Sequence, residues 1–79
     1  MSRYYFHLFN AVNIRDDVGR DFATLDEAHT DATNACRALM ANDLQNEGQI
    51  TLSHRIEIVD DNGQTKLVLP FRACIEIRP

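Results

Sequence analysis

Several things are scarce in this chain, and each scarcity removes a class of protein. No apolar run approaches the ~18 residues of a membrane-spanning helix. There are only two cysteines, Cys36 and Cys74, whereas a disulfide-framed secreted mini-protein carries roughly 4–8. Free thiols in a reducing compartment are therefore expected. Lysine and arginine number 8 against 12 acidic residues, giving a formal net charge of -4. That balance opposes the basic stripe of a general nucleic-acid binder. Repeats, low-complexity tracts and linkers are missing, so residues 1–79 read as one domain. The start Met1-Ser2-Arg3-Tyr4-Tyr5 has neither the apolar stretch nor the small-residue cleavage site of a signal peptide, so a cytoplasmic location is expected.

The composition, 44% hydrophobic and 25% charged, is that of an ordinary globular domain. At this size the core leaves a stability margin of about 3–5 kcal/mol. Thr24-Leu25-Asp26-Glu27 fits a capping box, with the Thr24 hydroxyl accepting from the amide of Glu27. Leu25, Ala28, Ala32, Ala35, Cys36, Leu39 and Met40 then recur at helical spacing, and Gly48 is a natural stop. A helix is expected over residues 25–46. Its small side chains let the axis lie close to whatever is beneath it.

Asn62-Gly63 reads as a two-residue type I′ turn. Its register sets Ile58 opposite Leu67 and Ile56 opposite Leu69 on one face, with Val59 opposite Lys66 and Glu57 opposite Val68 on the other. Residues 3–9 alternate as an aromatic strand, with 12–15 a short partner, 16–19 a turn and 20–23 a lead into the helix cap. Residues 73–77 alternate too and read as an edge strand or as a continuation of the strand before them. The expected fold is α+β in the order ββαββ: a three- to four-stranded antiparallel sheet with an optional short fifth strand, and one long helix packed on one face. Tyr4, Phe6, Leu8, Ile56, Ile58, Leu67, Leu69, Ile75 and Ile77 would form the sheet's half of the core.

Arg3-Tyr4-Tyr5-Phe6-His7-Leu8, Asp17-Val18-Gly19, Ile56-Glu57-Ile58-Val59-Asp60 with Asn62-Gly63, and Leu69-Pro70-Phe71 occur together. In this the chain resembles, over nearly its whole length, a family of small uncharacterised proteins found mainly in rhizobia and related bacteria. The opening strand and the Leu-Pro-Phe segment are the most specific parts. The resemblance implies a compact α+β domain of bacterial origin. It brings no catalytic or ligand-binding residues with it.

The chemistry-bearing residues form no recognised constellation. His7, His29 and His54 lack the close pairing of a zinc site, and His29 and Cys36 lie about 10 Å apart along the helix. Neither cysteine has a base near it in sequence, so Cys36 reads as a small core residue and Cys74 as the more reactive thiol, on the sheet face away from the helix. Asp16-Asp17 with Asp21, and Asp60-Asp61-Asn62-Gly63, lack the ligand pattern of a calcium loop and read as turns. Asp43 interrupts the helix's apolar stripe; it is expected as a partly exposed carboxylate unless Arg55 or His54 pairs with it. No catalytic residue, cofactor or metal is expected, and the chain is not expected to be an enzyme.

One face of the sheet has nothing to cover it. Tyr5, His7, Phe9, Val59, Val68 and Cys74, framed by Arg55, Glu57, Lys66, Arg72 and Glu76, form an apolar centre with a mixed-charge rim. The expected function is a small non-enzymatic protein-interaction module that associates with itself through that face, or with another protein. The alternative is nucleic-acid or small-ligand binding, with Tyr5, His7 and Phe9 stacking on bases and Arg3, Arg55, Lys66 and Arg72 meeting phosphates. Glu57, Glu76 and the negative net charge stand against it. A monomer with Tyr5 and Phe9 covered by the C-terminal segment is the simpler outcome.

Overall fold

The computed structural model describes residues 1–79. It contains β1 (Ser2–Phe9), β2 (Asn13–Ile14), β3 (Arg20–Phe22), α1 (Leu25–Glu47), β4 (Arg55–Asp60) and β5 (Thr65–Pro70), followed by a 3₁₀ turn at Phe71–Cys74. The five strands form one antiparallel sheet in the order β2-β1-β4-β5, with β3 also paired to β1. The element order is thus β-β-β-α-β-β, one long helix on a single sheet.

The helix begins and ends on local chemistry. Thr24 is extended and its hydroxyl accepts from the Glu27 amide at 3.1 Å. The Glu27 carboxylate accepts in turn from the amide of Ala23, one residue earlier than the standard capping box. Gly48 closes the helix at φ 69 and donates to the carbonyl of Leu44. Ala28, Ala32, Cys36 and Met40 are buried, a stripe of mainly small side chains. Against it lie Ile56, Ile58 and Leu69, with Tyr4, Phe6, Leu8 and Leu67 half-buried around them. Asp43 is half-buried on the helix, Arg55 pairs with Glu57 instead, and His54 packs edge-on to Phe71.

The β4–β5 hairpin keeps the expected pairs Ile56↔Leu69, Glu57↔Val68 and Ile58↔Leu67, then shifts by one residue so that Val59 faces Thr65. The shift arises in the turn. Asn62 does not take positive φ, which a type I′ turn requires, whereas Gly63 does, at 80°. The loop therefore has three residues, Asp61-Asn62-Gly63. The Gly63 amide donates to the Asp60 carbonyl, and the Asp60 amide to that of Gln64. The Asp60 carboxylate also accepts from the amides of Asn62 and Gln64, which fixes this turn in preference to the shorter one. Lys66 is the residue displaced by the bulge; it leaves its place opposite Val59 and lines a hollow with Tyr4, Asp21 and Asp60.

The segments after the hairpin and before the helix differ from the sequence expectation. Residues 73–77 are not a strand: Phe71–Cys74 is a 3₁₀ turn, and no regular element follows. Pro70 has no N–H with which to extend the ladder, and the chain turns under the helix. Phe71 becomes the largest fully buried side chain and Cys74 joins the core at 1% exposure, so Cys74 is not on the open face. Ile75 is half-buried against that core, but Ile77 is 69% exposed and belongs to none. The fifth strand is instead β3, in the segment read as a lead into the helix cap. Its pairing with β1 places Phe22 against Phe6, ring centroids 5.7 Å apart, and near Tyr4.

Candidate functional site

The face of the sheet away from α1 carries three cross-strand rows. Tyr5 lies opposite Val59, His7 opposite Glu57 with Val68 beyond it, and Phe9 opposite Arg55 with Pro70 beyond. Strand alternation fixes this: Ile56 and Ile58 face the helix, so Arg55, Glu57 and Val59 face away. Of the residues assigned to this face from sequence, Tyr5, His7, Phe9, Arg55, Glu57, Val59 and Val68 are brought together. Cys74 is buried, Lys66 is displaced by the bulge, and Arg72 sits exposed on the 3₁₀ turn. Glu76 lies beyond the sheet and pairs with Arg78.

The face is not bare. The segment between β2 and β3 folds over its Tyr5 end, held by Asp16. That carboxylate accepts from the amides of Phe6, Val18 and Gly19, each at 3.0 Å. The amide of Asp16 donates to Nδ1 of His7 at 3.1 Å, and Arg3 donates to the Val18 carbonyl at 2.9 Å. Gly19, buried and at φ 69, lies against the Tyr5 ring; a Cβ there would stand 2.8 Å from two ring carbons. Tyr5 is thus covered by this loop and not by the C-terminal segment.

Electrostatics follow these contacts. The Tyr5 hydroxyl donates to Asp61 at 2.8 Å, and that hydrogen bond, with burial and the Asp61 charge, raises the phenol above its ordinary value. Burial opposes ionisation of Asp16, but the amides of Gly19, Phe6 and Val18 outweigh it and hold the carboxyl below its ordinary value. The hydrogen bond and charge of Asp21 raise Arg3. Arg55 lies 4.2 Å over the ring of Phe9 and bonds to Glu57 at 2.8 Å. Two of the four cations proposed for phosphate contact, Arg3 and Arg55, are therefore engaged with carboxylates of the chain itself.

Two shallow clefts flank the loop. One, of about 290 Å³, lies among Tyr5, His7, Asp16, Val59 and Asp61. The other, of about 200 Å³, is lined by His7, Phe9, Asn13, Ile14 and Arg15. The exposed apolar side chains nearby are Val68 at 52%, Ile14 at 53% and Val12 at 68%. His29 is exposed on the helix and His54 half-buried beyond it, so the three histidines do not converge. Sequence reasoning missed the roles of Asp16 and Gly19. The signal was present in Asp16-Asp17-Val18-Gly19, a side chain able to bond its own following amides and a residue free to take positive φ.

A two-layer α+β domain, with one helix covering one face and a loop-flanked aromatic face on the other, is the class these observations define. The chain belongs to the family described as a domain of unknown function, DUF6894, whose profile matches residues 3–72. No match was found among curated proteins or solved structures.

Proposed function

We propose that this domain is a small non-enzymatic protein-interaction module of the bacterial cytoplasm that pairs with a second copy of itself through the open sheet face. The observation that carries the reading is the patch at the end of the face that the loop leaves open. Phe9 lies under Arg55, Glu57 bonds that arginine, and Val68 is 52% exposed beside them. Apolar groups are ringed here by both signs of charge, so a two-fold axis sets each Arg55 near the other copy's Glu57 and buries both valines. The thiols favour binding over catalysis. Both are buried, and burial together with the neighbouring Cys74 pushes Cys36 up to about 12, the opposite of an activated nucleophile.

The test is absolute mass by light scattering over a concentration series, for wild type and for Val68→Glu. Val68 is exposed and its loss leaves the core intact, so the variant is expected to fold, with unchanged circular dichroism. The expected result is a wild-type mass that rises to twice the chain mass, and a variant that stays single. A folded wild-type monomer at every concentration would overturn self-association and turn attention to a different protein or to single-stranded RNA.

A further inference from the structure

The two cysteines, 38 positions apart in sequence, meet in the core. Cys36 on α1 is 0% exposed and Cys74, the last residue of the 3₁₀ turn, is 1% exposed; both belong to one packed cluster. Arg37, the neighbour of Cys36, donates from Nε to the carbonyl of Cys74 at 2.7 Å, which lays the backbone of the turn along the helix. The Cys74 thiol lies 3.7 Å from the carbonyl of Pro70. Burial raises the Cys36 thiol above its ordinary value, and the neighbouring Cys74 adds to the rise.

We propose that Cys36 and Cys74 are a latent thiol pair that a peroxide converts to an intramolecular disulfide, locking the C-terminal segment onto the helix. While the turn is closed neither thiol reacts, because both are buried and only the thiolate is nucleophilic. The way in is local opening. Phe71 and Arg72 are anchored by amide bonds to His54 and Leu52, but after Cys74 no backbone ladder holds the chain, and residues 76–79 are exposed. Segments with few backbone anchors open at far lower cost than the whole fold.

On opening, the Cys74 thiolate attacks one peroxide oxygen. The O–O bond breaks, leaving Cys74 as a sulfenic acid, and hydroxide takes up a proton to leave as water. On closing, the sulfur of Cys36 attacks the sulfenic sulfur. The S–O bond breaks, the proton of Cys36 leaves with the hydroxyl as a second water, and the disulfide forms. In sum, two thiols lose two hydrogens and one peroxide is reduced to two waters. A small dithiol reverses the step by exchange.

The experiment treats the folded chain of residues 1–79 with hydrogen peroxide and follows intact mass and peptide maps. The expected product has lost two hydrogens, contains a cross-linked peptide joining Cys36 to Cys74, remains a single chain on a non-reducing gel, and is restored by dithiothreitol. Arg37→Ala removes an exposed side chain's bond to the turn, and is expected to speed cross-linking about fivefold, the change one hydrogen bond of ~1 kcal/mol supplies. Cys36→Ala is expected to leave Cys74 as a sulfenic acid that a dimedone probe traps. Oxygen addition at single cysteines without a cross-link, disulfides only between chains, or a wild type that reacts only after denaturation would each overturn the proposal. The Arg37→Ala arm keeps the test open should the core variant not fold.

Discussion

At Phe6 the outer edge of β1 has neither β2 nor β3 beside it, and one carboxylate stands in for the missing ladder. Asp16 accepts from the Phe6 amide while its other oxygen holds Val18 and Gly19. Its folded pKa lies below the ordinary 3.8, so the stability it contributes is present above that value and lost as pH falls through the folded one. The urea midpoint is therefore expected to stay level from neutral pH to about 4 and then decline, with Asp16 among the contributors. Asp16→Asn sets an amide donor against amide donors. It should cost about 1 kcal/mol at neutral pH, below the usual ~1.5–3 kcal/mol for a charged acceptor because the group is only partly removed from water. The acid decline should also shrink; an undiminished decline would show that other carboxylates cause it. Gly19 is the loop's other fixed point. Gly19→Ala meets both strain at φ 69 and the Tyr5 ring, and a loss of about 1–3 kcal/mol in urea titration is expected. Pairing it with Tyr5→Ala should recover the part due to the ring clash, which separates contact from backbone strain.

The helix and the hairpin are the elements most completely written into local sequence. The Thr24 cap, the small-residue stripe and Gly48 bound α1 to within a residue of the expected 25–46. The hairpin's outer register, read from Asn62-Gly63 as a two-residue turn, matches at Ile56, Glu57 and Ile58. The turn is one residue longer than expected because Asp60 bonds into it, and the bulge at Lys66 makes up the difference. The C-terminal segment was not legible in the same way. Residues 73–77 alternate as well as any strand does, yet alternation reports only which side chains share a face. What decides the segment is that Phe71 fills the core beside the helix, with its amide donating to the carbonyl of His54 at 2.7 Å. Replacing a buried phenylalanine by alanine costs about 3–5 kcal/mol, comparable with the whole margin of a domain this small. Phe71→Ala is expected to leave much of the population unfolded in the absence of denaturant, by circular dichroism. A cooperative midpoint near wild type would show that this plug is dispensable.

At the scale of the molecule the extents are 39 × 25 × 17 Å and the radius of gyration is 12.8 Å. A rounded domain of this length has a radius near 11.6 Å. The excess reflects a single helix laid on one face of a broad sheet. Pairing of two copies through the other face would add the missing layer, and it predicts a melting temperature that rises with protein concentration, since association draws on the folded state alone. The sequence by itself determined the α+β class, the helix and its ends, the residues of the helix-facing core on β1, β4 and β5, and the alternation that places Tyr5, His7 and Phe9 on the opposite face. These are short-range properties, set by caps, by periodicity and by turn residues. Only the tertiary structure decided that β3 pairs with β1, that Asp16 and Gly19 fold over Tyr5, and that Phe71 and Cys74 turn inward to meet Cys36. Each of those depends on which edge, ring or gap the rest of the chain leaves open, and that is a property of assembled elements that no local pattern carries.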